Sequence, residues 1–271
     1  MFRYQHLIAV LWVVTYVAGL QAVPCRAADL REIIRQGTVM LESDWAADLN
    51  YAYVLKDEVI KDEKSTAKTS QYVLIDGSDY YLPPAPEPED LRKIRDEVVR
   101  RKAESLEARR QRIERFTRAR EENGAMLLEV PRAFTFELMP GETVDGHDAY
   151  VLSATTLKRP TAGLSRAQKV LSGMKCSMWI DKESFHAIRA ECNVVTPVPV
   201  YGILARVLPG TRIELHMQPV TESVWLVSEF SMTLTVSKFF LFKSTQLTRS
   251  IYSDYRLNDV VLNELLSKTS R

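Results

Sequence analysis

Apolar and polar residues alternate along most of the second half of the chain. Residues 134–138, 212–218 and 230–236 each place every second side chain on one face, which is the pattern of a half-buried β-strand. Turn-forming pairs such as Asp76-Gly77 join neighbouring strands by short connections. The sequence shows no strand–helix–strand alternation, so we expect an antiparallel sheet.

Three segments carry apolar residues at the period of a helix. Residues 29–48 do so with Asp29 as the N-cap, and residues 260–266 predict a short terminal helix. Glu89–Asn123 has a thin apolar stripe among many charged residues, and Asn123-Gly124 favours a helix end there. We therefore predict a mainly β protein with α-helices: one large curved antiparallel sheet of ten or eleven strands, open or partly closed, with helices packed on one face. A long charged helix is inserted.

Residues 1–28 are typical of a secretory signal peptide. The uncharged segment Leu7–Leu20 has the length of a leader core and is shorter than a bilayer span. The small residues Cys25 and Ala27 favour cleavage after Ala27, with cleavage after Ala28 as the alternative. An uncleaved signal anchor is the alternative. We expect a periplasmic or secreted protein. The remaining chain divides into 29–82, the N-terminal helix and first strands; 83–130, a proline-rich linker and the long charged helix; and 131–271, the rest of the half-barrel with the C-terminal helix.

The cysteine content agrees with export. Removing the leader removes Cys25 and leaves Cys176 and Cys192, which lie on adjacent predicted strands and point to the same face. A cross-strand disulfide and a pair of small buried thiols are both compatible with this arrangement.

Charge and motifs exclude several classes of function. Without Arg3 and Arg26 the chain has 34 basic and 35 acidic residues, a net charge of −1, so a nucleic-acid partner is not expected. His147, His186 and His216 lack the spacing of a zinc site, and we predict that each lies at the surface. There is no P-loop, G-x-G-x-x-G or G-x-S-x-G motif. We expect neither an enzyme nor a cofactor or metal site; a hydrolase of envelope material is a less favoured alternative.

Several motifs in the second half have a familiar form. Residues 141–152, GETVDGHDAYVL, are followed by a W-I-D turn at 179–181 and by I-R-A-E at 188–191. Trp225-Leu226 and the closing Y-S-D-Y-R at 252–256 complete the set. Together these motifs resemble the LolA/LolB-like periplasmic proteins, the outer-membrane lipoprotein-sorting family, over roughly residues 130–256.

This resemblance implies an unclosed β-barrel whose concave side, covered by helices, holds acyl chains or a lipidated partner. The charged helix Glu89–Asn123 departs from the family pattern, as does Val227 where the family often has proline. We therefore carry over the fold and the class of ligand, and no functional residue.

An apolar groove on the concave face fits such a ligand, because flexible methionines adapt to acyl chains of variable shape. Alternation sends six groove residues toward one face: Met174, Met178, Met217, Phe230, Met232 and Leu234. The leading hypothesis is a lipid- or lipoprotein-binding protein that contacts membranes peripherally. The alternative is a non-enzymatic envelope interaction or sensing module, in which residues 89–123 bind a protein partner.

Overall fold

Twelve strands form one antiparallel sheet in the part of the chain that the structure describes. The computed structural model describes residues 29–61, 64–157, 169, 171–199, 205–238 and 242–268, without the side chains of residues 123, 125–132 and 238. The strands are β1 Tyr51–Lys61, β2 Lys64–Ile75, β3 Ser78–Leu82, β4 Phe134–Val144, β5 His147–Thr156, β6 Met174–Asp181, β7 Ala187–Val194, β8 Val198–Pro199, β9 Ala205–Val207, β10 Arg212–Thr221, β11 Val224–Lys238 and β12 Phe242–Leu257. The helices are α1 Leu30–Ala47, α2 Pro88–Lys102, α3 Leu106–Ala133 and α4 Asn258–Lys268.

The sheet is not closed. Its strand order is β3-β2-β1-β12-β11-β10-β7-β6-β5-β4, so β3 and β4 are its two edges and do not pair with each other in the described residues. The short strands β8 and β9 extend the pairing beside the far end of β11. The predicted unclosed antiparallel barrel is therefore confirmed.

Local chemistry explains several element boundaries. The Asp29 side chain accepts a hydrogen bond from the backbone N–H of Arg31, so it caps α1 as predicted. Asp76 and Gly77 both have positive φ, at 45° and 81°, which is the geometry of the two-residue turn that joins β2 to β3. At the other end of the chain, the Asn258 amide hydrogen-bonds both N–H and C=O of Leu74 and fixes the start of α4 against β2.

The helices divide between the two faces of the sheet. Tyr72 and Val73 are consecutive in β2 and therefore point to opposite faces. Val73 belongs to a buried cluster with Ile94 of α2 and Val261 of α4, so these two helices cover one face of β1–β3. Helix α1 packs on the opposite, concave face, where Ile33 is fully buried beside Leu152 and Ile180. The sequence predicted the position of α1 but not that of α2 and α4.

The predicted single helix Glu89–Asn123 is wrong, because the structure has two helices there. Helix α2 ends at Lys102, and the Ser105 hydroxyl accepts a hydrogen bond from the N–H of Ala108 at 3.2 Å. A serine at this position caps a new helix, which is the reason for the break. Helix α3 then continues past Asn123-Gly124 to Ala133. The ring of Trp45 lies where a side chain on Gly124 would be, so this glycine serves close helix packing rather than a helix end.

Helices α2 and α3 are tied to the turn between β2 and β3 by arginines. Arg101 is only 5 % exposed and donates to the carbonyl oxygens of Ile75 and Ser78 at 2.6 and 2.9 Å. Arg112 bridges Asp76 and Glu104, each at 2.9 Å. These contacts satisfy backbone acceptors at the turn, so part of the positive charge of the inserted segment is structural.

Helix α3 connects one edge of the sheet with the other. It begins beside the turn that precedes β3 and leads directly into β4, and its 28 residues span about 42 Å. On the way Arg120 hydrogen-bonds the carbonyl oxygen of Trp45 and lies 3.6 Å from the Asp48 carboxylate at the end of α1. The helix therefore joins both edge strands to the C-terminal end of α1.

The predicted terminal helix at 260–266 is confirmed as α4. The predicted signal peptide, residues 1–28, lies outside the described residues, as does most of the predicted loop at 156–173.

Candidate functional site: an apolar cavity beneath helix α1

A cavity of about 140 Å³ lies between α1 and the sheet. Ile34, Thr38 and Leu41 of α1 form one wall. Leu152 of β5 and Met178 of β6 belong to the facing wall. This is the space that the concave face leaves unfilled among the described residues.

The curvature of the sheet creates the cavity. Phe136 of β4 and Phe230 of β11 line the same space, although four strands lie between β4 and β11 in the sheet order. A flat sheet would separate β4 and β11 by about 24 Å. The strands from β4 to β11 therefore wrap around the cavity, and α1 covers it.

The cavity wall is almost entirely apolar. Thr38 and Arg189 are the lining residues with polar side chains among those that the structure describes. The Thr38 hydroxyl donates to the carbonyl oxygen of Ile34 at 2.7 Å, so it is already satisfied. The Arg189 guanidinium lies 5.2 Å from the centre of the Trp179 ring and pairs with Glu191, while its Nε is buried without a hydrogen-bond partner. Such a wall favours contact with apolar rather than polar groups.

A glycine brings α1 close to the sheet. A Cβ atom at Gly37 would lie 3.1 Å from Cδ1 of Ile180 and 3.7 Å from the carbonyl oxygen of Phe185. A larger residue would push α1 outward or displace Ile180. The depth of the cavity thus depends on the absence of a side chain at position 37.

A disulfide strengthens the floor of the cavity. Cys176 and Cys192 are directly opposite each other on β6 and β7, and their sulfur atoms are bonded. Of the two arrangements compatible with the sequence, the structure has the bonded one. Cys192 also lines the cavity, so the disulfide fixes the spacing of two strands that form the cavity wall.

The structure brings three of the six predicted groove residues together. Met174, Met178 and Phe230 line the cavity. Met217 instead packs in a neighbouring cluster with Trp225, and Leu234 packs against the cluster around Val207. Met232 lies opposite Thr248 on β12 and does not line the cavity. Their role in ligand binding stays a prediction.

A buried histidine lies in the turn between β6 and β7, directly before the cavity-lining residue Ala187. His186 was predicted to lie at the surface, and this is wrong: it is 2 % exposed. Its Nδ1 donates to Oδ2 of Asp44 at 2.7 Å, while Oδ1 of Asp44 accepts the backbone N–H of Trp225 at 2.9 Å. The His186 ring also stacks on the Trp225 ring. The partners are 142 and 181 residues from Asp44 in sequence, so no local pattern could have found them.

The Asp44–His186 pair ties α1 to the sheet. A histidine held by a carboxylate is half of a hydrolase triad, but no hydroxyl or thiol in the described residues is hydrogen-bonded to His186. The geometry instead joins three elements at one point: α1, the turn after β6, and the start of β11. This contact fixes the C-terminal half of the helix that covers the cavity.

A second carboxylate shapes the turn after β6. Asp181 is buried, and its side chain accepts hydrogen bonds from the hydroxyl and N–H of Ser184 and from the N–H of Glu183. Burial opposes ionisation, but these hydrogen bonds prevail and lower the pKa of Asp181. His147 lies 3.4 Å away and contacts the edge of the Trp225 ring. The charged carboxylate therefore stabilises the turn that carries His186.

A cluster of tyrosines covers the concave face beyond α1. The Tyr53 ring stacks on Tyr72 at 4.5 Å and meets Tyr252 and Tyr255, each at 5.4 Å. Burial raises the pKa of Tyr252 to about 12 and also raises the pKa of Tyr53, Tyr72 and Tyr255. Burial likewise raises the pKa of Asp48, although Arg120 opposes the shift. This cluster continues the concave face with phenol rings in place of aliphatic side chains.

No cluster of three or more histidine, cysteine or acidic side chains suited to a metal ion occurs in the described part of the chain. Within the same residues, no helix combines the length and the apolar character needed to cross a bilayer.

Comparisons with known proteins return structural neighbours only. No family model and no curated protein matches this chain. A DUF1329 family protein from Desulfovibrio piger is 12 % identical, with a TM-score of 0.36 over 84 % of this chain and 92 % of that chain. A domain described as an outer membrane lipoprotein-sorting protein, from Vibrio parahaemolyticus, is 13 % identical, with a TM-score of 0.34 over 86 % and 99 %.

A third neighbour is the MucA/MucB complex of Pseudomonas aeruginosa, at 9 % identity and a TM-score of 0.24 over 82 % of this chain and 98 % of that chain. One of the three neighbours is thus of the lipoprotein-sorting kind that the sequence resembles. At these identities and TM-scores none of them bears on ligand or activity, which must be argued from the cavity itself.

Proposed function

We propose that this protein is an exported, periplasmic binding protein that holds the apolar end of a lipid or of a lipidated protein beneath α1. The observation that carries the proposal is the apolar cavity of about 140 Å³ between α1 and the curved sheet. A leader-like N-terminus and the Cys176–Cys192 disulfide support an oxidising compartment outside the cytoplasm. Binding of this kind requires no catalytic residue, so we propose a non-enzymatic role.

The size of the cavity limits how much of a ligand it encloses. A cavity of similar volume in an engineered protein accommodates benzene. A segment of about five methylenes would therefore contribute roughly 4 kcal/mol before ordering costs. The rest of a longer acyl chain would have to extend beyond the cavity or displace α1. We expect weak binding of short chains and tighter binding of ligands that also contact the surrounding concave face.

Filling the cavity tests the proposal. Ala190 lines the cavity opposite Met178 and Leu215, so Ala190→Leu places a larger apolar side chain in the empty space. Uptake of a fluorescent fatty acid should fall at least tenfold, while the protein stays folded and its thermal stability holds or rises slightly. The matched control is Ala67→Leu, because Ala67 is exposed on β2 away from the cavity, and this variant should bind as the wild type does.

Two results would contradict the proposal. Fatty acid uptake that is unchanged in Ala190→Leu would place binding elsewhere. If native mass spectrometry finds no lipid on gently purified protein, and the protein takes up no added fatty acid, lipid binding is not its function. A protein partner bound through residues 89–123 stays a prediction, since Arg101, Arg112 and Arg120 of that segment are already engaged within the fold.

A further inference from the structure

A row of directly paired residues crosses the concave face from the cavity to a charged margin. Leu215 of β10 pairs with Phe230 of β11, and both line the cavity. Phe230 in turn pairs with Ser250 of β12. Ser250 pairs with Asp57 of β1, and Asp57 pairs with Lys68 of β2. Because directly paired residues point to the same face of a sheet, the row changes from apolar to charged within about 15 Å of Phe230.

The two charged residues at the end of this row are both available to a ligand. Oδ1 of Asp57 accepts a hydrogen bond from the Ser250 hydroxyl at 2.5 Å, so Oδ2 is left for another donor. Lys68 is exposed, and within the described residues it forms neither an ion pair nor a hydrogen bond. Opposite charges placed directly across two strands usually attract each other, but these two do not pair. Each can therefore still bind a group of opposite charge.

Two hydroxyl groups lie beside Asp57. Ser70 and Tyr252 both pair with Leu55, which is two residues before Asp57 and shares its face. Ser70 is only 7 % exposed, yet its hydroxyl has no hydrogen-bond partner in the part of the chain that the structure describes. After burial, the Asp57 charge is the next cause that raises the pKa of Tyr252, so the carboxylate and the phenol are close. A polar group bound here would find hydrogen-bonding partners besides the two charges.

We propose that Asp57 and Lys68 bind the head of the ligand whose apolar end lies beneath α1, and that this head is zwitterionic, with an ammonium group at Asp57 and a phosphate at Lys68. The inference rests on the proposed function and narrows it to a lipid with an amine-bearing headgroup. Phe230 and Asp57 are two strand spacings apart, about 10 Å, so one amphiphile can reach both. A purely anionic head would meet the Asp57 carboxylate, whereas a zwitterionic head satisfies both charges.

Competition between two matched lipids tests the proposal. Lysophosphatidylethanolamine and lysophosphatidylglycerol of the same acyl chain each displace a bound fluorescent fatty acid, and they differ in the ammonium group. The wild type should bind lysophosphatidylethanolamine about tenfold more tightly. Asp57→Asn should reduce this ratio to about one, because an amide does not attract an ammonium group. Lys68→Gln should weaken the binding of both phospholipids about threefold at low salt.

The matched controls are Glu58→Gln and Lys56→Gln. Both residues are neighbours of Asp57 on β1, but they point to the opposite face of the sheet, so the same changes of charge are made away from the concave face. These variants should keep the tenfold preference. Thermal unfolding of each variant establishes that the fold is intact.

The outcomes separate this inference from the proposed function. If the fluorescent fatty acid binds but the wild type does not distinguish the two phospholipids, the headgroup assignment is wrong and the cavity proposal stands. A preference that survives Asp57→Asn, or that Glu58→Gln abolishes equally, also overturns the assignment. If a lipopeptide without a free amine competes as well as lysophosphatidylethanolamine, the ligand is a lipidated protein and its head is not recognised by charge. Failure of the fatty acid itself to bind contradicts the proposed function.

Discussion

The two halves of the sheet place their apolar cores on opposite faces. In the cavity half, comprising β4–β7, β10 and β11, the core lies on the concave face under α1, and the other face carries ion pairs such as Arg249–Glu229 at its border with β12. In the tyrosine half, comprising β12 and β1–β3, the aliphatic core lies on the outer face under α2 and α4. Its concave face carries the tyrosine cluster instead.

The apolar core changes from the concave to the outer face between the neighbouring strands β11 and β12. On the concave face Met232 and Leu234 of β11 lie opposite Thr248 and Gln246 of β12. A continuous sheet therefore switches its apolar side without any change of register between these strands. One half of the sheet thus leaves space under a helix, whereas the other half anchors the inserted helices.

The largest expected effect is in the tyrosine half, at Arg101. Arg101→Met removes a buried guanidinium and leaves the carbonyl oxygens of Ile75 and Ser78 without this donor, while Glu97 keeps its ion pair with Arg100. The free energy of unfolding should fall by about 3 to 5 kcal/mol. Urea denaturation measures this change. Arg110→Met is the control, since Arg110 is largely exposed and pairs only with Glu107, and its effect should stay below about 1 kcal/mol. Similar losses in the two variants would mean that Arg101 does not anchor α2.

Matched truncations in the two halves should separate stability from binding. Leu152 and Ile94 are both fully buried, but only Leu152 lines the cavity. Each substitution by alanine should cost about 2 to 4 kcal/mol. Leu152→Ala should also enlarge the cavity and allow a bulkier fluorescent fatty acid to bind, while Ile94→Ala leaves binding unchanged in the folded protein. Calorimetry and ligand titration test both expectations; a change in ligand preference in Ile94→Ala would show that the two halves are coupled.

The smallest effect is a dependence on alkaline pH that arises in the tyrosine half. Burial favours the neutral phenol of Tyr252 in the folded state and raises its pKa to about 12. The stabilisation is complete below the ordinary tyrosine pKa of about 10 and is lost as the pH rises through 12. Ultraviolet titration should show these phenols ionising together with unfolding. The variant Tyr252→Phe should keep more of its stability above pH 10 than the wild type. Early ionisation of all tyrosines, without unfolding, would contradict the buried cluster.

The sequence predicted those helices, strands and turns that are determined by residues close together in the chain. Asp29 caps α1, Asp76-Gly77 turns β2 into β3, and the alternation over residues 230–236 corresponds to β11. The same alternation identified Met174, Met178 and Phe230 as concave residues, because side-chain direction in a strand depends only on position.

Features that depend on distant contacts were not predictable. The charged run through Ser105 has continuous helical periodicity, and the break became clear only from the cap that Ser105 provides. His186 lies beside a turn in sequence, yet Asp44 and Trp225 bury it from other elements. Likewise, no pattern in one strand reveals that Tyr53, Tyr72 and Tyr252 form one cluster, since the strands are brought together by pairing across the whole chain.

The pairing of β1 with β12 has a consequence for how the protein folds. Tyr51 of β1 pairs with Leu257 of β12, so β1 cannot complete its pairing until β12 has been synthesised. Until then the early hairpin has an open edge that can pair with other chains. Contacts of such large sequence separation slow folding, because a long loop must close before they form. A chain truncated before β12 should therefore aggregate rather than accumulate as a smaller native protein. The complete sheet should form only after β12 has been synthesised.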